Sequence, residues 1–292
     1  MAEVTLRPAT RADADECVRV QLAAFADLDR RMHEPEEQVS EVQRTRARSR
    51  IEHFVEHDPE GSWVAVADGA IVGCAFALKR DRLWGLSLLV VDPAAQSVGA
   101  GRRLIDATLR YAEGCDRAII QSSSDARAIR TYATSGFELY PQVTAKGRPS
   151  MAAAPPSVTR VRNGTTQDLA FADGIDRRVR GAGRGPDHAW IAGFAPMYVV
   201  DDADGQGYAY LRDADVYLLA ATDDDTASAL LWRCLQHNAE LGLDATVPHI
   251  TAEQQWAVRA ALAAGLAIRP DGPVFWRGIT PPRAYLPSGA YL

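Results

Sequence analysis

Apolar residues recur along this chain at helix and strand spacings in turn, and polar or glycine-bearing turns separate the runs. Val4 to Arg7 reads as a short strand. Asp13 to Phe25 has helical spacing, with Val18, Leu22 and Phe25 on one stripe. Glu36 to His57 is a second helical stretch, acidic early and arginine-rich late, an order that suits the helix dipole. Strands are expected over Ser62–Ala67, Ile71–Lys79 and Leu83–Val91, with a two-residue hairpin at Asp68-Gly69 and a turn at Arg80-Asp81. A helix over Gly101–Glu113, a short buried strand at Arg117–Gln121 and a helix from Asp125 that Gly136 terminates follow. Phe137 opens another strand.

The stretch from Pro141 to Pro156, rich in Pro, Ala and Gly, is the best domain boundary in the chain. The plan then restarts. Val158–Val161 reads as a strand, and Thr165 to Asp168 caps a helix carrying Leu169, Ala172 and Ile175. Strands at Met197–Val200, Gly207–Leu211 and Val216–Ala220 precede a helix over Thr226–Leu241. Ala245–Val247, a helix over Glu253–Ala264, Val274–Trp276 and the terminal Ala284–Leu292 would complete the sheet. The expected division is a domain over 1–148, a linker over 149–157 and a domain over 158–292.

Composition narrows the class. At 292 residues, 47% hydrophobic and 24% charged, the chain can bury two ordinary cores. A net charge of −6 argues against nucleic acid as the main partner. Cys17, Cys74, Cys115 and Cys234 are widely spaced with no CxxC pair, and three lie in apolar periodic segments, which suits free thiols. No apolar run approaches membrane-spanning length and no charged-then-apolar leader appears, so a cytoplasmic, membrane-free protein is expected. No His/Cys/Asp cluster has metal spacing, so no metal is expected.

The chemistry centres on Leu86 to Leu109. A β-branched run stops at Asp92-Pro93, and the turn Gln96-Ser97-Val98-Gly99-Ala100-Gly101 leads directly into a helix. The first-turn N–H groups of a helix lack intrahelical partners, and glycine lets a ligand approach the backbone, so this is an anion cradle. Arg102 and Arg103 add positive charge. A dinucleotide fingerprint fails because Leu104 stands where its third glycine belongs, and a nucleotide P-loop fails for want of its Lys-Ser/Thr.

The arrangement Val91-Asp92-Pro93, then Gln96-x-x-Gly99-x-Gly101, resembles the acetyl-CoA pyrophosphate loop of the GCN5-related N-acetyltransferase (GNAT) family. A second signature of that family is matched downstream at Ala128, Tyr132, Gly136 and Phe137, while Asp125 stands where the family usually has Asn. The resemblance implies an α+β fold of two tandem domains, each a mixed, mostly antiparallel central sheet flanked by helices. It implies that the backbone from Gln96 to Arg102 (Gln96, Ser97, Val98, Gly99, Ala100, Gly101, Arg102) holds the pyrophosphate. Leu89, Val90 and Val91 would pair with the pantetheine arm, an N–H there would polarise the thioester, and Asp125 occupies the position that contacts that arm. Tyr132 would be the acid for the leaving thiolate.

No general base stands out. Asp81, Glu34 and the Ser122–Ser124 run could act through water or a relay, and His33, His53 and His57 read as solvated helix residues. Glu34 and Glu37, with His33, border the acceptor region in the resemblance. The expected function is acetyl-CoA-dependent transfer to the amine of a small-molecule acceptor. A non-catalytic acyl-CoA-binding or sensing protein is the alternative, and O- or other acyl transfer stays open.

The second half departs from the first at its loop. After Val216–Ala220 the chain reads Ala221-Thr222-Asp223-Asp224-Asp225-Thr226, without glycine and with three carboxylates at the helix start. Carboxylates there use the N–H groups that a pyrophosphate needs. They also repel it, by on the order of 1 kcal/mol per like pair at ~4 Å in water and more near a protein surface. Ala261 replaces the signature tyrosine. This half is expected to lack acetyl-CoA binding and to close the acceptor cleft, form a dimer face or bind another ligand.

Overall fold

A computed structural model describes residues 4–33, 35, 38–95 and 99–292. The chain forms two compact units, dividing after Ile120. In the first, β1 (Thr5–Pro8), β2 (Ser62–Ala67), β3 (Ala70–Arg80) and β4 (Leu83–Val91) pair antiparallel in succession. Strand β5 (Arg117–Gln121) then lies parallel to β4. The expected hairpin at Asp68-Gly69 forms with both residues at positive φ, the backbone that tight hairpins require.

Helices α1 (Ala14–Met32) and α2 (Glu41–His57) precede β2, and α3 (Ala100–Tyr111) joins β4 to β5. Helix α3 buries Leu104 and Ile105; Leu104 packs against the small residues Ala65 and Ala75. A Cβ on Gly73 would meet the Leu104 side chain at 3.1 Å, so glycine there lets α3 close on the sheet. The indole of Trp84, fully buried on β4, donates to the Thr108 carbonyl at 3.1 Å.

Three local expectations for this unit are corrected. Helix α1 runs on to Met32, and Phe25 is exposed rather than part of the buried stripe. Helix α2 begins at Glu41, because Ser40 and Gln43 form a reciprocal capping box that fixes the start there. His53 is buried, with its ring tilted against that of His57 at 4.5 Å between centres; it is not a solvated residue.

The second unit repeats the pairing. Strands β7 (Arg162–Asn163), β8 (Met197–Asp202), β9 (Gly205–Arg212) and β10 (Asp215–Ala221) are antiparallel in succession, and β11 (Ala245–Ile250) lies parallel to β10. Helices α5 (Leu169–Val179), α6 (Asp187–Ala192) and α7 (Asp224–Glu240) take places in the order equivalent to α1, α2 and α3, and α8 (Gln255–Ala263) follows β11. Helix α4 (Ala126–Thr134) and strand β6 (Glu138–Gly147) also belong to this unit, and β6 lies antiparallel between β11 and β12 (Ala267–Arg277). The fold class is therefore α+β, with mixed, mostly antiparallel strands flanked by helices in each unit.

The Pro141–Pro156 stretch begins inside β6. Pro141 falls where the register with β12 shifts, a bulge that dispenses with its missing N–H. The strand expected at Val158–Val161 is a short helical turn over Pro156–Arg160, and the pairing strand is displaced to Arg162–Asn163. The terminal Ala284–Leu292 does not extend the sheet as a full strand. Only β13 (Tyr285–Leu286) pairs, and it does so with β10.

One buried ion pair secures the first unit. Asp58, wholly buried, accepts two hydrogen bonds from the Arg80 guanidinium at 2.8 and 2.9 Å and one from the Tyr111 hydroxyl at 3.1 Å. This ties the end of α2 to β3 and to the last turn of α3. Arg80→Met should cost about 3–5 kcal/mol in urea unfolding, because it strands a buried carboxylate. Asp58→Asn added to that variant should recover part of the loss. A cost below about 1 kcal/mol would contradict this role.

Candidate active site

The end of β4 is set apart by what fails to pair with it. Its ladder with β5 runs from Leu83↔Arg117 to Leu86↔Ile120, and β5 ends at Gln121, whereas β4 continues to Val91. On the other side β3 stays paired through Gly73↔Val91, and Asp92 N–H donates to the Val72 carbonyl at 2.8 Å. Antiparallel pairs alternate between bonded and non-bonded. The bond at Asp92 therefore turns the peptide groups of Leu88 and Val90 toward β3 and those of Leu89 and Val91 toward the open edge. Of the three strand residues expected to pair with a ligand arm, Leu89 and Val91 present their backbone there and Val90 does not.

The loop after β4 is held at its base. The Asp92 carboxylate accepts from Ala94 N–H at 3.0 Å and pairs with Arg19 at 3.0 Å, and Arg19 also donates to the Ile71 carbonyl. These contacts were not anticipated from sequence, since Arg19 lies 73 residues from Asp92. Gln96, Ser97 and Val98 lie outside the described residues. Gly99 resumes the chain in the left-handed region at φ 76°, where a side chain is strained, and sits as the cap residue of α3.

Because Gly99 has no side chain, the first-turn N–H groups at Ala100, Gly101 and Arg102 are left without a capping acceptor among the described residues. Arg103 N–H is the first to return to the Gly99 carbonyl. The two arginines contribute less free charge than expected: Arg102 pairs with Asp106 at 3.1 Å, and the Arg103 guanidinium donates to the Val4 carbonyl. Helices α1 and α2 enclose a cleft of about 710 Å³, lined by Val18, Leu22 and charged groups that include Asp15, Arg19, Arg44 and Arg48.

The other expected site residues lie on α4 in the second unit. Asp125 caps that helix by accepting from Arg127 N–H at 2.9 Å, and its carboxylate also pairs with the Arg127 side chain at 2.8 Å. Tyr132 is buried edge-to-face on Phe275, with ring centres 5.5 Å apart. Burial pushes its hydroxyl pKa up and the Asp125 charge adds to this, so the group stays protonated at neutral pH.

The second unit has the equivalent strand end and fills it. Strand β10 pairs with β11 only at Asp215↔Thr246. Further along, β13 lies against β10 at Leu219↔Leu286 and Ala220↔Tyr285, and Ala221 N–H donates to the Ala284 carbonyl at 2.9 Å. The segment is fixed from behind by two buried arginines. Arg180 donates to the Leu292 carbonyl at 2.9 Å, and Arg184 donates to the Tyr291 carbonyl and the Tyr285 hydroxyl. Asp176 balances Arg184 at 3.0 Å and accepts from Tyr208.

The helix start is closed as well. The Asp223 carboxylate accepts from Thr226 N–H at 2.8 Å, the capping that Gly99 cannot supply in the first unit. The β8–β9 hairpin presses on this end, since a Cβ on Gly205 would overlap the Thr226 hydroxyl and the Asp223 carboxylate. In the first unit, a Cβ on Gly69 of the matching hairpin would meet no described atom within 4 Å.

A family model for the acetyltransferase (GNAT) family matches residues 22–137. Over these residues, about two fifths of the chain, the sequence is similar to the GNAT family. Three solved structures resemble it along nearly its whole length. One, from Pyrococcus horikoshii, is 18% identical, with a TM-score of 0.74 over 99% of this chain and 95% of that one. A GCN5-related N-acetyltransferase from Kribbella flavida is 15% identical, with a TM-score of 0.61 over 94% of this chain and 71% of that one. Another from Sphaerobacter thermophilus is 14% identical, with a TM-score of 0.57 over 94% and 95%. At these identities the likeness is one of fold. A comparison with curated proteins finds no match.

The likeness to this family supports acyl transfer as the general reaction. Among the described residues no three His, Cys, Asp or Glu side chains gather as a metal site, and no helix is long and apolar enough to cross a membrane. The contrast between the two units predicts a stoichiometry. Calorimetry should find one equivalent of acetyl-CoA per chain, and Gly99→Val, which forces a β-branched residue into the left-handed region, should weaken binding at least tenfold. Two equivalents, or unchanged affinity in the variant, would contradict the assignment of the open loop.

Proposed function

We propose that the protein is an acetyl-CoA-dependent N-acetyltransferase, with residues 1–148 as the cofactor-binding domain, 149–157 as linker and 158–292 as a domain that has given up cofactor binding. The observation that carries this reading is the open edge of β4 followed in sequence by an uncapped helix start at Gly99. A ligand with an extended amide-bearing arm and a pyrophosphate satisfies both: the arm pairs with Leu89 and Val91, and the phosphates take the N–H groups of Gly99 to Arg102, with Gln96, Ser97 and Val98 completing the loop. A coenzyme A thioester has that form.

In the transfer, the uncharged amine attacks the thioester carbonyl carbon. A C–N bond forms, the C–S bond breaks, and the amine releases its proton to solvent or a base. A β4 N–H at the open edge stabilises the oxygen as charge builds on it. Tyr132, kept protonated by its burial, returns a proton to the coenzyme A thiolate. Asp125 supports that helix as its cap, and as a carboxylate it can accept a hydrogen bond from the pantetheine arm but not donate one. The acceptor is a small molecule bearing a primary amine.

Coenzyme A thiol release measured across a panel of amines tests this reading. Turnover with at least one amine is expected, and Tyr132→Phe should lower kcat about 100-fold with acetyl-CoA affinity unchanged. Equal turnover in the variant would remove Tyr132 from the chemistry. Acetyl-CoA binding without turnover on any amine would favour a sensing protein.

A further inference from the structure

Ser87 is the one β4 residue at which two irregularities coincide. Leu86 pairs with Ala77 and Leu88 with Phe76, so Ser87 is an extra residue bulged out of the ladder with β3. It is also the first β4 residue past the last pair with β5, Leu86↔Ile120. Its hydroxyl is buried and has no hydrogen-bond partner among the described residues, and its neighbours Leu86 and Leu88 are both buried. A buried hydroxyl without a partner is unfavourable, and bulges commonly re-aim a side chain beside a working site.

The direction of the site accounts for that position. With phosphates at the start of α3 and an extended arm on Val91 and then Leu89, the acyl end of the ligand lies toward the beginning of the open edge. Ser87 stands there, four residues before Val91, or roughly 13 Å along the strand. Resting on the acetyl-CoA reading above, we propose that the Ser87 hydroxyl donates a hydrogen bond to the acyl carbonyl oxygen of bound acetyl-CoA. The hydroxyl keeps its proton throughout; it holds the carbonyl beside the open edge while the amine adds and the thiolate leaves.

Calorimetric binding of acetyl-CoA and of free coenzyme A to wild type and to Ser87→Ala tests this without knowledge of the acceptor. Wild type should prefer acetyl-CoA by about fivefold, and Ser87→Ala should erase that preference while leaving coenzyme A affinity unchanged. Ser87→Thr, which keeps a hydroxyl, should retain part of the preference. The thermal midpoint of Ser87→Ala should equal or exceed that of wild type, because the variant loses an unpartnered polar group. A preserved preference in Ser87→Ala, or an equal fall in both affinities with a lower midpoint, overturns the proposal in favour of a structural serine. Failure of wild type to bind either ligand overturns the acetyl-CoA reading, and this proposal with it.

Discussion

Peptide groups on a strand edge must find partners, and the place where β5 stops short of β4 governs the rest. Strand β5 ends at Gln121 while β4 continues to Val91, so Leu89 and Val91 face outward with donors and acceptors to satisfy. The surrounding structure keeps this edge available. The bulge at Ser87 turns the strand, the Arg19–Asp92 pair anchors the loop that follows, and Gly99 begins α3 without using up its first N–H groups. The features together form an open strand edge followed by an uncapped helix start.

The second unit answers the same constraint with its own chain. Its parallel pair also parts early, but β13 occupies the edge of β10, and Asp223 caps the helix that an anion would approach. Buried arginines hold the inserted segment, with Asp176 held at about 2: burial opposes its charge, but Arg184, His188 and Arg180 outweigh that. Two copies of one strand order thus diverge in which molecule completes the sheet. In one it is a stretch of polypeptide, and in the other the proposed coenzyme A thioester.

Much of this was legible in the chain. The alternation of apolar runs located β3, β4 and the hairpin at Asp68-Gly69 closely, and the glycine-bearing turn placed the start of α3 within one residue. The acidic run at Asp223–Asp225 correctly pointed to a capped helix start. What periodicity could not convey was long-range pairing. The insertion of β6 between β11 and β12, and the contact of Tyr285 and Leu286 with β10, join residues far apart in sequence and leave no local pattern. Pro141 concealed a strand because its bulge is visible only once β12 is opposite it. Ser87 has no local signal in the chain, since neither a bulge nor an unmet hydroxyl has a sequence signature.

The account rests on the claim that the ligand completes the sheet at β4 and not at β10. Amide hydrogen exchange with and without acetyl-CoA reads this directly, residue by residue. Saturating acetyl-CoA should slow exchange at Leu89, Val91 and the first turn of α3, and leave β10 and the start of α7 unchanged. Unaltered exchange at Leu89 and Val91, or new protection along β10, would contradict it.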